Sequence, residues 1–196
     1  AEHARKRGAP WWKSFTTGKS AATLGGVPHD RYGMTTQSIR EYVYGILRKS
    51  ELQEESITKV QTGGPDGDLG SNEILLSKDK TVAVIDGSGV VHDPQGLDRE
   101  ELMRLARARK TVAHFDVSKL GKDGYLVLVE DRHLTLPSGE IVPDGLNFRN
   151  RAHLRFEADL FVPCGGRPEA INIGNVHEMF DSEGKCHYKY IVEGAN

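Results

Sequence analysis

The chain has 196 residues, 26 Lys and Arg against 28 Asp and Glu, a formal net charge of −2 and 37% hydrophobic residues. That length supports one domain with its own core. No run approaches the roughly 18 apolar residues of a membrane helix, and a near-neutral balance offers no basic stripe for a polyanion, so neither membrane nor nucleic acid is an expected partner. The opening AEHARKRGAPWW carries basic residues with no apolar segment behind them, which argues against a secretory signal. Cys164 and Cys186 have neither CxxC spacing nor a disulfide framework, which suits a reducing compartment. The eight histidines show no HxH or HExxH spacing, and no metal is expected.

In chain order, residues 1 to 35 are rich in glycine and threonine without clear periodicity, and read as loop and short turns. Ile39, Tyr42, Val43, Ile46 and Leu47 recur at helical spacing, behind a Ser38-Ile39-Arg40-Glu41 sequence of capping-box form. A strand is expected to end at Thr62, followed by a glycine turn and a helix over Asn72 to Lys78. Thr81 to Ile85 is short, apolar and β-branched, as suits a strand buried on both faces. Asp98 to Arg109 reads as an amphipathic helix with Asp98 as N-cap and Leu102, Leu105 and Ala106 turned inward. Further strands are expected at Tyr125 to Val129, Leu160 to Val162 and Tyr190 to Val192, with a hairpin over 134–142 around Pro137-Ser138-Gly139. Strands alternating with helices predict a doubly wound α/β domain: a mostly parallel sheet with helices on both faces.

The segment VQTGGPDGDLGSNEI (60–74) carries the most chemistry. Gly64, Gly67 and Gly70 stand three residues apart, and Gly67-Asp68-Leu69-Gly70 matches the second half of a GxGxxG fingerprint. In that motif the early glycines let backbone approach a pyrophosphate, and the last packs the helix against its strand. The helix N-terminus then offers free N–H groups and a positive dipole end. Two departures stand against this reading: Pro65 occupies the first glycine position, and Asp66 and Asp68 bring negative charge toward an anion site. In support, Asp86 ends TVAVID (81–86), about 20 residues beyond the turn, where Rossmann-like domains place a carboxylate for the adenosine ribose. Gly87 and Ser88 follow it rather than an arginine, which favours NAD over NADP. TTGKS (16–20) ends like a P-loop, but the position of its first glycine is Lys13 and no apolar strand precedes it, so no triphosphate site is expected. Arg104, Arg107, Arg109 and Lys110 read as a solvated helix face, and Arg149, Arg151 and Arg155 as surface.

Taken together, WWKSFTTGKSAATLGGVPHDRYGMTTQSIREYV (11–43), TGGPDGDLGSNEI (62–74), DGSGVVHDPQGLDREEL (86–102), DLFVPCGGRPEAI (159–171) and VEGAN (192–196) resemble the large NAD-specific glutamate dehydrogenases of the fungal and protist kind. The resemblance implies a lead-in over 1–35 that borders an interdomain cleft and a Rossmann domain over 36–196. It implies Arg31 and Thr35 at the substrate cleft, and Gly67, Asp68 and Leu69 at the pyrophosphate. Asp86 would meet the adenosine ribose, Cys164 and Gly165 the nicotinamide ribose, and Asn196 the carboxamide. It further implies oxidative deamination of L-glutamate to 2-oxoglutarate with NAD as hydride acceptor, a homo-oligomeric parent, and a cytosolic or mitochondrial-matrix setting. The catalytic lysine and the proton-transfer aspartate of that family lie in motifs this sequence does not contain, so the chain itself is expected to bind NAD without turning glutamate over, and to be monomeric. Two other readings stay open: a dinucleotide-binding regulatory module, and the cofactor half of a leucine- or phenylalanine-type dehydrogenase.

Overall fold

The computed structural model describes residues 2–12, 20–165 and 170–194. In chain order the main elements are α1 Glu2–Lys6, α2 Ala21–Leu24, α3 His29–Tyr32, α4 Met34–Lys49, β1 Thr58–Thr62, α5 Asp68–Leu76, β2 Lys80–Ile85, β3 Gly89–His92, α6 Arg99–Ala108, β4 Tyr125–Leu128, β5 Arg132–Thr135, β6 Ile141–Asp144, α7 Gly145–Arg151, β7 Ala158–Pro163 and β8 Tyr188–Ile191. Six strands form one sheet in the order β4-β3-β2-β1-β7-β8, and β5 pairs with β6 in a separate hairpin. β1 pairs parallel with both β2 and β7, and β7 parallel with β8. β3 runs against both of its neighbours, so five strands share one direction and the expected mostly parallel sheet is present.

The two faces follow from the alternation of side chains along each strand. Val60, Ala83, Ile85, Val90, Val127, Phe161 and Tyr188 build a core with Leu136 and Val142 of the hairpin region and Phe148 of α7. On the opposite face Val84 and Val91 pack against Ile74 of α5 and Leu102 and Leu105 of α6. Leu160 and Val162 pack there against Ile39, Val43 and Leu47 of α4. Helices therefore cover both faces. Among the described residues no helix is long and apolar enough to cross a membrane.

Several sequence expectations need correction. Helix α4 begins at Met34, so Ser38 lies inside it and the capping box does not form; Gly33, left-handed at φ 55°, supplies the N-cap backbone instead. The start is fixed by tertiary contact, because Thr36 is buried and its hydroxyl donates to the Leu69 carbonyl. Among its described residues the lead-in carries three short helices, and α4 spans its expected end. Helix α5 starts four residues before the expected Asn72, directly after Gly67. Strand β3 and helix α7 were not foreseen. The Asp98 cap forms as expected, its carboxylate accepting from the Glu101 N–H at 2.8 Å.

Candidate functional site

The chain leaves β1 on one side toward β2 and returns on the other as β7, so the carboxyl ends of β1 and β7 flank a topological switch point. In open α/β sheets ligands bind in the crevice outside such strand ends. Here the crevice is built from the glycine turn after β1 and the Cys164-Gly165 step after β7. The two backbones touch: a Cβ on Gly63 would overlap the Cys164–Gly165 peptide and lie 2.7 Å from the Gly165 Cα. Gly63 also holds φ +85°, a region that side chains rarely adopt.

The other glycines have separate reasons. A Cβ on Gly70 would overlap the carbonyl oxygen of Gly64 and lie 2.8 Å from the Gly63 carbonyl carbon, so α5 can seat against β1 only without one. A Cβ on Gly64 would overlap the Asp86 carboxylate and sit 2.7 Å from Asp66 Oδ1. Gly67 differs. Its backbone is extended (φ −82°, ψ 154°), and its missing Cβ would meet only the Gly64 carbonyl oxygen at 3.6 Å. Among the described residues no neighbour demands a glycine there; as the N-cap of α5, without a side-chain cap, Gly67 leaves the first N–H groups of the helix open to an anion.

Asp86 lies beside Gly64, as the spacing implied, but it is already engaged. Its Oδ1 accepts from the Ser88 N–H and hydroxyl, both at 2.7 Å, and its Oδ2 from the Val112 N–H at 2.7 Å. A carboxylate has about four acceptor positions, so one is left for a ligand hydroxyl. Asp86 thus also ties the turn after β2 to the segment after α6. Asp68 does not leave a bare negative charge at the helix start: Arg109, which ends α6 at φ 51°, reaches its Oδ1 at 2.7 Å. The Leu69 backbone lies in the first turn of α5, and its side chain packs against the α4 cluster.

Cys164 is buried among Leu160, Val162 and Val43, so its thiol faces α4. Burial, with Glu73 close by, pushes that thiol well above the ordinary range. Arg31 on α3 and Thr35 in the first turn of α4 are both exposed, and α3 packs against α4 and α5. Asn196 lies outside the described residues, as do residues 16–19 of the TTGKS segment.

Sequence reasoning missed what lies beneath the turn. Lys59 and Gln61 of β1 are fully buried under α5. Lys59 Nζ meets Asp79 at 2.9 Å and Glu73 at 3.2 Å and donates to the Ser77 hydroxyl at 2.9 Å. Arg40 of α4 joins Glu73 at 3.1 Å and also pairs with Glu54. Burial opposes the Lys59 charge, but Asp79 and Glu73 more than offset it, so the ammonium is held above the ordinary lysine range. The available signal was polarity itself, since Lys59 and Gln61 are out of place in a central strand. Among the described residues no group of three or more His, Cys, Asp or Glu side chains could hold a metal.

Comparison with known proteins completes the description. The family model for glutamate/leucine/phenylalanine/valine dehydrogenases matches residues 25–196. The chain is 64% identical over 195 residues to a probable NAD-specific glutamate dehydrogenase of Schizosaccharomyces pombe, covering 99% of this chain and 18% of that protein. It is 61% identical over 197 residues to the NAD-specific glutamate dehydrogenase of Neurospora crassa, covering 100% of this chain and 19% of that one. The chain therefore spans less than a fifth of the length of these curated relatives. Among solved structures, glutamate dehydrogenase of Plasmodium falciparum superposes with a TM-score of 0.57 at 16% identity, over 96% of this chain and 36% of that one. The hetero-hexameric enzyme of Thermus thermophilus gives 0.56 at 19%, over 99% and 38%. Those two likenesses carry the fold. The family match, running through the glycine turn, Asp86 and the Cys164-Gly165 step, places this chain in the glutamate/leucine/phenylalanine/valine dehydrogenase family.

Proposed function

We propose that this chain is the NAD-binding part of a glutamate dehydrogenase and that, alone, it binds NAD without oxidising glutamate. The observation that carries the reading is Gly67: a glycine that no neighbour among the described residues requires, standing as the N-cap of α5 without a side-chain cap and beside the switch-point crevice. Pyrophosphate oxygens fit that position, because helix N–H groups and the positive dipole end favour an anion. Asp86 keeps one acceptor position for a ribose hydroxyl and would repel a 2′-phosphate, consistent with relatives named NAD-specific. When bound, the cofactor supplies the hydride acceptor. The chain's own residues hold and orient it: Gly64, Gly67, Asp68 and Leu69 at the phosphates, Asp86 at the adenosine end, and Gly165 and Asn196 toward the nicotinamide. Cys164 contributes through its backbone, since its thiol is turned under α4. Arg31 and Thr35 belong to the substrate side, where L-glutamate and 2-oxoglutarate bind in the whole enzyme, itself an oligomer.

Calorimetric titration with NAD and with NADP tests this. NAD binding with NADP at least tenfold weaker is expected. Asp86→Asn should narrow that preference, and it should also cost about 1–3 kcal/mol of stability by setting an amide against donors that need an acceptor. Failure of NAD to bind at millimolar concentration would overturn the reading, and glutamate-dependent NADH formation by the chain alone would overturn its non-catalytic part.

A further inference from the structure

The Gly63–Gly64 peptide is held from below by one side chain. Gln61 is fully buried in β1, between Val84 of β2 and Val162 of β7. Its Nε2 donates to the Gly63 carbonyl at 2.8 Å and to the Gly70 carbonyl at 3.1 Å. The orientation of the amide follows from those partners, because the flipped form would set Oε1 against two carbonyl oxygens. Its Oε1 is buried and has no hydrogen-bond partner among the described residues. The residue therefore carries an unsatisfied acceptor in the core in order to present two donors to the glycine turn. A leucine would remove that acceptor, but it would also leave the Gly63 carbonyl without its donor.

A peptide unit is planar and trans, so its C=O and N–H point to opposite sides. Drawing the Gly63 carbonyl down toward α5 turns the Gly64 N–H away from it. Gly64 is buried, yet among the described residues nothing accepts from its N–H, while its own carbonyl accepts from Gly67 at 3.1 Å. Buried backbone donors are almost always paired, so this one is waiting for an acceptor that is not part of the fold. We propose that Gln61 is a positioning residue for the dinucleotide: by clamping the Gly63 and Gly70 carbonyls it aims the Gly64 N–H at a pyrophosphate oxygen of NAD. This rests on the NAD-binding reading above. It also accounts for the displaced fingerprint, in which Pro65, with no N–H of its own, takes the first glycine position and the donor is supplied one residue earlier.

The test uses Gln61→Leu and Gln61→Glu in this chain, with NAD, ADP-ribose and adenosine as ligands and thermal unfolding alongside. Gln61→Leu should bind NAD and ADP-ribose at least tenfold more weakly and keep the adenosine affinity of the parent within twofold, while staying folded at the titration temperature even though loss of the donor to the Gly63 carbonyl lowers its unfolding temperature. In Gln61→Glu a carboxylate would repel both carbonyls, but a protonated acid can donate once, and burial favours the protonated form. Its NAD affinity should therefore recover several-fold between pH 8 and pH 5.5, after correction by the parent's own profile over the same range. A purely structural role would instead lower all three affinities together and give no such recovery; that pattern, or NAD binding within twofold of the parent in both variants, overturns the proposal. Should either variant fail to fold, the parent decides. The Gly64 amide resonance should shift on saturation with NAD or ADP-ribose and stay unmoved with adenosine, and an indifferent Gly64 amide in an NAD-saturated sample overturns the proposal. If the parent binds no NAD, the functional reading falls and the positioning role with it.

Discussion

Gly67 and Gly70 are three residues apart and are glycines for opposite reasons. Gly70 is required by the fold, since any Cβ there would run into the backbone of the turn before α5. A Cβ on Gly67 would clash with none of the described residues, and its structural part is limited to capping α5. The pair therefore separates stability from binding. Gly70→Ala should cost about 2 kcal/mol or more, the range of overpacking against immovable backbone. Gly67→Ala should cost no more than about 1 kcal/mol, the preference of an N-cap for Gly over Ala, while weakening NAD binding about tenfold, equivalent to about 1.4 kcal/mol. Chemical denaturation and calorimetry on the two variants check both halves. Equal effects of the two substitutions on NAD affinity per unit of lost stability would remove the special status of Gly67. From sequence, the spacing of these glycines was legible; which of them served the chain and which a ligand was not, because that depends on what each missing Cβ would touch.

At the scale of elements, the ion network beneath α5 is the costliest feature of the fold to disturb. Lys59 holds Asp79 and Glu73 together with no access to water, and Arg40 ties the same Glu73 to α4. Lys59→Met would leave three buried carboxylates, Glu54, Glu73 and Asp79, beside one remaining cation, a loss of roughly 3–5 kcal/mol; a change below about 1 kcal/mol in urea unfolding would contradict the network's role. A second element-level prediction concerns β3. His92 stacks on Phe156 at 4.7 Å, and its Nδ1 lies 2.9 Å from the Val82 carbonyl oxygen. Burial lowers its pKa from the ordinary histidine value of 6.5. The unfolded chain then binds a proton that the folded chain refuses, so stability is complete above about pH 6.5 and falls as the pH drops through the lower folded value. His92→Phe, which keeps a ring for stacking, should flatten that part of the stability–pH curve. An unchanged slope would assign it to other groups.

Elements with local signals were readable. Thr81–Ile85 is apolar and rich in β-branched residues, Asp98 is a cap before an amphipathic pattern, and the hairpin read over 134–142 surrounds a Pro-Ser-Gly turn within the observed Arg132–Asp144 pair of strands. Others were set by contacts distant in sequence. Helix α4 starts at Gly33 because Thr36 and Asn72 pack there, not because of Ser38. Strand β3 is four residues long and reverses on a tight Asp-Gly-Ser-Gly turn, so it hides in the tail of β2's apolar run. Helix α7 did leave a trace, since Asp144 caps it by accepting from the Leu146 and Asn147 N–H groups. Read as a cap, that aspartate would have marked Gly145–Arg151 as helical.

For the whole molecule, the sheet order brings together residues a hundred positions apart: the turn at Gly63 and Gly64 against Cys164 and Gly165, with Asp86 alongside. The central claim is that a dinucleotide lies in that crevice. Mapping backbone amide shifts while titrating the chain with NAD tests it most directly. The account predicts the largest shifts at Gly64, Gly67, Asp68, Leu69, Ser88 and Gly165, with the groove between α7 and the β5–β6 hairpin, lined by Asn147, Arg151 and His187, unaffected. Shifts centred on that groove, or none at saturating NAD, would contradict it.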